Sequence, residues 1–235
     1  MSHRRPAPES AIAIVGLDVL LPGTPGRPGF WRDVLSARDC ITEVPPSHWL
    51  IEDYYDPDPS APDKTYCKRG GFLDPVAFDP LAFGIPPTAL SSTDTAQLLA
   101  LVLARRVLDQ ASDVSRNAID KARTSIILGV ASSTEMVVHL GGRLQRPNWV
   151  AGMREEGLPE SQVQRIADLI SETYVPWRES AFPGLLGNVV AGRIANRLDL
   201  GGSNYVTDAA CASSRSALQA GMNELRLGRV FHQIL

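Results

Sequence analysis

Tyr205-Val206-Thr207-Asp208-Ala209-Ala210-Cys211-Ala212-Ser213-Ser214 is the stretch on which the reading of this chain turns. Its first three residues are β-prone, and Ala217-Leu218-Gln219-Ala220-Gly221-Met222-Asn223-Glu224-Leu225 downstream is rich in helix formers. The pattern predicts a strand, a tight turn and a helix, with one cysteine at the turn. A thiol there faces unpaired backbone N–H groups and the positive end of the helix dipole, both of which favour thiolate. The same N–H groups can hold the oxyanion of a thioester under attack. The competing reading makes Cys211 a small buried residue, the usual fate of a free cysteine.

Outward from that turn, the composition is that of an ordinary globular chain. Of 235 residues, 44% are hydrophobic and 21% charged, enough for one large domain or two small ones. A net charge of -3 gives no electrostatic case for nucleic acid or an anionic membrane. No apolar run approaches the roughly 20 residues that cross a bilayer. The basic start, Met1 to Pro6, is followed by a short, glycine-broken apolar stretch and does not read as a secretory signal. Cys40, Cys67 and Cys211 are too widely spaced for a disulfide framework or a metal-ligand cluster, so no metal is expected. The expected compartment is the cytoplasm.

Along the chain, residues 1–10 read as a disordered lead. Ala11-Ile12-Ala13-Ile14-Val15-Gly16 predicts a buried strand, and Phe30 to Leu35 a short helix. Val44 to Pro87 is rich in Pro, Asp, Tyr and Gly and predicts a long irregular segment. Ser92 to Gln110 carries apolar residues at helical spacing, with Ser91 or Ser92 as cap. Thr124 to Val130 predicts a second buried strand. Pro147 to Thr173 predicts a polar, exposed helical excursion, and Gly184 to Asn196 a helix packed closely on a neighbour. The alternation of strands and helices predicts an α/β fold with a mixed, mainly parallel sheet.

Several blocks, in order, resemble the β-ketoacyl synthase family, the condensing enzymes of fatty-acid and polyketide synthesis. They are Ala13-Ile14-Val15-Gly16 with Leu21-Pro22-Gly23, Phe30-Trp31-Arg32-Asp33-Val34-Leu35, and Asp53-Tyr54-Tyr55-Asp56-Pro57-Asp58. Gly70-Gly71-Phe72-Leu73, Phe78-Asp79-Pro80, Gly187-Asn188, Ala191-Gly192-Arg193-Ile194 and the Cys211 block continue the match. The wording of Tyr66 to Gly71 and of Phe182 to Val190 is most similar to ketosynthases of polyunsaturated-fatty-acid synthases and related lipid-type polyketide synthases. The resemblance implies a thiolase-like fold, of which residues 11–228 would form the N-terminal half, a β-ketoacyl synthase N-terminal domain. It leaves 229–235 as an aberrant tail.

The resemblance also implies chemistry. Cys211 would accept an acyl group from a thioester carried on the phosphopantetheine of an acyl carrier protein or on coenzyme A. A malonyl thioester would then lose CO2, and its carbanion would attack the acyl-cysteine. No dissociable cofactor is implied, and the complete family member would be a homodimer.

Three departures stand out. Asp94-Thr95-Ala96-Gln97-Leu98 replaces an Asp-Pro-Gln-Gln-Arg block of many modular ketosynthases. Arg215 stands where the family has leucine, at a place where burial would cost it dearly without a carboxylate partner. Family members also run to roughly 400 residues or more, two fused halves, and supply two catalytic histidines from the second half. The expectation is therefore a truncated chain that cannot complete condensation alone. The alternative is a catalytically inactive interaction module that pairs with a partner ketosynthase or carrier protein.

The remaining candidates read as structural. His3, His48, His139 and His232 match no catalytic position. Cys40 and Cys67 read as packing or surface residues, although the basic neighbours of Cys67 would favour its thiolate. Lys68-Arg69 reads as a solvated pair, with an acidic carrier surface or a phosphate as the other possibility. Gly184, Gly187 and Gly192 lack the phosphate-loop lysine and imply close packing. Glu155, Glu156 and Glu160 read as a solvated helix face.

Overall fold

The computed structural model describes residues 11–24, 26–114, 119–131 and 135–235. The chain divides into a smaller unit, Gly16–Ala77, and a larger one, Met1–Val15 with Phe78–Leu235. The expected disordered lead, 1–10, lies outside the described residues.

In the smaller unit, helix α1 (Arg27–Leu35) begins with Pro28 in its first turn, where the missing N–H costs nothing. Strands β1 (Thr42–Glu43) and β2 (Arg69–Gly70) pair antiparallel, and α2 (Ile51–Tyr54) is a single turn. Between them the aspartates make the turns. Asp56 accepts from the Asp58 N–H and Asp58 from the Ser60 N–H, each at 2.9 Å. The irregular character expected of Val44 to Pro87 is thus carried by side-chain-closed turns. Buried Asp33 accepts from Thr24 Oγ1 at 3.0 Å and from Arg32.

The larger unit is built on α3 (Thr95–Val114), β3 (Thr124–Gly129), α4 (Glu135–Arg143), α5 (Arg146–Glu155), α6 (Glu160–Glu172), α7 (Val189–Leu198), β4 (Asn204–Thr207), α8 (Ser213–Arg226) and β5 (His232–Ile234). Its sheet has the order β4-β3-β5, with both pairs parallel. Ile127 lies opposite Tyr205, and Ile126 opposite both Asn204 and Ile234. Parallel strands need crossovers, and the crossover helices cover the sheet. Accordingly Thr124 to Ile127 of β3 are all buried.

Alternation along β3 sorts its contacts to two faces. Ile126 enters a cluster with Leu101 and Ala104 of α3 and with Ala191, Ile194 and Leu198 of α7. Ser125 and Gly129 meet α8 instead, Ser125 Oγ donating to the buried Glu224 at 3.0 Å. A β-carbon on Gly221 of α8 would come within 2.8 Å of Gln233 in β5, so glycine sets how closely α8 lies on the sheet. The mainly parallel α/β expectation holds.

Several details differ from the sequence reading. Ala11–Gly16 forms no strand, and Ile14 is 85% exposed. A strand is held by a ladder partner, and none pairs with this run among the described residues. Helix α3 is capped by neither Ser91 nor Ser92. Asp94 Oδ1 accepts from the Ala96 N–H at 2.9 Å, while Asp94 Oδ2 accepts from the Met136 N–H at 3.1 Å, tying α3 to α4. Ser92 Oγ is engaged by Ala89 O and Ser180 Oγ. The helix expected from Gly184 starts at Val189, because Pro183 lies in a 3₁₀ turn, Glu179–Leu185, that precedes it. Residues 229–235, set apart as a tail, contribute β5 to the sheet.

The excursion after β3 is three helices, α4 to α6. Arg143 Nη1 donates to Ser171 O at 2.6 Å and Arg146 Nη1 to Ser171 Oγ at 2.9 Å. Trp149 stacks on Tyr174 with centroids 5.7 Å apart.

Truncating the fully buried Ile126 to Ala removes a contact shared by α3, α7 and β5. We expect a loss of about 2–5 kcal/mol in chemical denaturation, with the slope of the transition unchanged.

Candidate active site

The site is the passage from β4 to α8. After Thr207 the chain leaves the sheet, and Asp208 Oδ1 accepts the Ala210 N–H at 3.0 Å. Ala210 has φ 48°, a left-handed conformation that a residue with a β-carbon rarely adopts. Such strain persists only where the surroundings over-determine it. Here they do. Ser213 Oγ accepts the Ala209 N–H at 2.9 Å and donates to Ala210 O at 2.7 Å, spanning the strained residue. Thr207 Oγ1 donates to Ser213 O at 3.1 Å.

Gly129, at the end of β3, closes the arrangement from the neighbouring strand. A β-carbon there would lie 2.6 Å from both Ser213 C and Ser214 N. Backbone cannot yield as a flexible side chain does, so glycine is the residue that lets the first turn of α8 sit on the sheet.

Cys211 sits in the 3₁₀ turn Ala210–Ala212 that runs into α8, and it is exposed. The buried side of α8 is Ser213, Ala217, Gly221 and Glu224, and Cys211 stands outside the helix, ahead of its first residue. The reading of Cys211 as a buried packing residue therefore fails. Among the described residues, no hydrogen bond is made by the Cys211 N–H. Tyr205, on β4, has its phenol pushed up by burial and then by the Glu224 carboxylate, against the pull of Arg229. It stays neutral.

The other sequence candidates lie elsewhere. His139 faces Tyr174 edge-on at 6.1 Å, its Nε2 3.8 Å from Glu135. His48 packs edge-on against Phe72, and His232 lies in β5; His3 falls outside the described residues. Cys40 is half-buried and Cys67 exposed, both in the smaller unit. Lys68 is paired with Glu43 at 2.8 Å and Arg69 with Asp39 at 3.4 Å. Glu155 and Glu156 are exposed, and exposed Glu160 pairs with Arg154 at 2.7 Å. Of the three glycines, only Gly184 is tightly packed, since a β-carbon there would lie 2.8 Å from Met136 Cγ, whereas Gly187 has open space around it. Arg215 is exposed, so the burial cost anticipated for it does not arise. Sequence reasoning passed over Gly129 and Ser213. A glycine ending an apolar strand was the available signal.

The family model described as β-ketoacyl synthase, N-terminal domain, matches residues 9–231. The chain belongs to the β-ketoacyl synthase family. A polyunsaturated fatty acid synthase polypeptide of Thraustochytrium is 32% identical over 94% of this chain and 8% of its own length. Mycoketide-CoA synthase of Mycobacterium tuberculosis is 30% identical over 92% of this chain and 4% of its own. Among solved structures, an oxazolomycin ketosynthase domain of Streptomyces albus superposes with a TM-score of 0.65 at 26% identity, over 92% of this chain and 32% of that one. The ketosynthase of module 6 of the bacillaene synthase of Bacillus subtilis shares the fold, with a TM-score of 0.65. This chain thus spans less than a tenth of those two synthases and about a third of the ketosynthase structures.

Gly129→Ala should lower stability by about 1–3 kcal/mol, since the new carbon meets main chain. Gly187→Ala should change it by less than about 0.5 kcal/mol. Equal effects in paired denaturation curves would contradict the close approach.

Proposed function

We propose that this ketosynthase domain performs the acyl-accepting step of a condensing enzyme, with Cys211 as nucleophile. The observation that carries it is the exposed Cys211 thiol on a braced strand-to-helix turn, beside a backbone N–H that no group of the chain claims among the described residues. The thiolate sulfur attacks the thioester carbonyl carbon. The oxyanion that develops meets the Cys211 N–H. The C–S bond to the carrier then breaks, leaving the acyl group on Cys211 and releasing the carrier's thiol with the proton that Cys211 gave up.

The carrier is an acyl carrier protein bearing phosphopantetheine, or coenzyme A; no dissociable cofactor enters. The later decarboxylative condensation with a malonyl thioester would rest on a histidine pair that His3, His48, His139 and His232 do not match. The complete enzyme would be a homodimer with the cytoplasm as its compartment.

A second reading, an inactive module that pairs with a partner ketosynthase or carrier protein, draws on Leu218, 47% exposed on the outer side of α8.

Incubation of the folded chain with an acyl thioester should add one acyl mass, lost in Cys211→Ala. A folded wild-type chain that takes up no acyl group would favour the module.

A further inference from the structure

The outer side of α8 carries an arginine where the family resemblance puts leucine. Cys211 and Arg215 are four positions apart, and both are exposed. The buried stripe of α8 begins at Ser213 and Ala217, which turns Arg215 and Leu218 to its outer side, and Cys211 stands exposed in the 3₁₀ turn that leads into it. Cys211 stands two residues ahead of α8 and Arg215 lies in its first turn, a separation that an arginine side chain can span. Among the described residues no hydrogen bond or ion pair engages Arg215; the nearest acid in sequence, Asp208, spends its carboxylate on the Ala210 N–H.

A guanidinium is always charged and presents a planar fork that fits a carboxylate. An unclaimed one beside a reactive thiol is a ready partner for an anionic group carried past that thiol. We infer that Arg215 is a substrate-selecting residue: it favours acyl thioesters whose acyl group bears a carboxylate a few carbons from the thioester carbon. This rests on the acyl-accepting role of Cys211 proposed above. The acyl transfer itself is unchanged. The carboxylate of the incoming acyl group pairs with Arg215 while its thioester carbon meets Cys211.

The charge and the acyl-transfer role can be tested apart. Iodoacetate and iodoacetamide both alkylate a thiolate, displacing iodide, but only the first is an anion. The ratio of their rates at Cys211, followed by peptide mapping in the full-length chain with Cys67 as internal reference, reads the local charge and not the ionisation of the thiol. The ratio should fall by about threefold or more in Arg215→Leu and be retained in Arg215→Lys, at an interaction distance where one charge matters. In wild type it should shrink as salt is raised, because salt screens exposed charges beyond about 10 Å at 0.1 M and about 3 Å at 1 M. A ratio unchanged by Arg215→Leu overturns the proposal.

The second arm compares succinyl and butyryl thioesters of N-acetylcysteamine, which carry no phosphate. Wild type should load succinyl in preference to butyryl, and Arg215→Leu should lose that preference while still loading butyryl. Loading of both without preference overturns the role of Arg215 and leaves Cys211 as the nucleophile. Loading of neither by folded protein overturns the nucleophile assignment, and the selection with it. If Arg215→Leu slows loading from succinyl and butyryl phosphopantetheine thioesters alike and leaves both N-acetylcysteamine thioesters unaffected, the acyl-carboxylate assignment is overturned in favour of the phosphate.

Discussion

The end of β3 and the start of α8 touch main chain to main chain, and that contact is possible only because residue 129 has no side chain. From it the rest of the site follows. With α8 seated on the strand end, Ser213 is buried and its hydroxyl reaches the two backbone groups on either side of Ala210. That pair of hydrogen bonds, to the Ala209 N–H and the Ala210 carbonyl, offsets the left-handed backbone at Ala210. The turn then has a single way to face, with Cys211 outward. Among the described residues the Cys211 thiol makes no hydrogen bond of its own; it is aimed by the backbone around it.

The sheet supplies the other half of the constraint. β3 is central, paired on one side with the strand that leads into the Cys211 turn and on the other with the C-terminal strand. α8 connects those two outer strands, so its position is fixed at both ends by the same central strand. The Ser125–Glu224 hydrogen bond and the close approach of Gly221 to Gln233 act along the length of the helix. A buried carboxylate on a helix is costly unless it is hydrogen-bonded, which ties Glu224 to Ser125 and gives α8 one preferred register on the sheet.

Legibility in the sequence followed how local each signal was. The β4–turn–α8 unit could be read because a β-prone triplet, a polar turn and an alanine-rich stretch adjoin one another. The parallel sheet could be read from the alternation of elements. Ala11 to Gly16 misled because an apolar run reports a preference for burial and cannot report whether a ladder partner lies beside it. His232–Ile234 was passed over because three residues containing His and Gln carry no period-two pattern, yet pairing with β3 makes them a strand. Asp94 displaced two serines as cap because it also satisfies Met136 from a distant helix, a tertiary gain invisible locally. Gly129 and Ser213 were missed for the same reason, since each matters only against the other. Arg215 departs from the family pattern already in the sequence, but its exposure is set by the helix face it occupies.

If the turn at Cys211 confers reactivity beyond exposure, one thiol of three is singled out for acyl transfer. The most direct measurement is competitive: expose the folded chain to less than one equivalent of an acyl thioester, digest it, and map the adduct among Cys40, Cys67 and Cys211. Nearly all of the acyl group should reside on Cys211, although Cys67 is also exposed. An adduct shared between Cys67 and Cys211 in proportion to their exposure would contradict it, showing that the turn confers no reactivity beyond access.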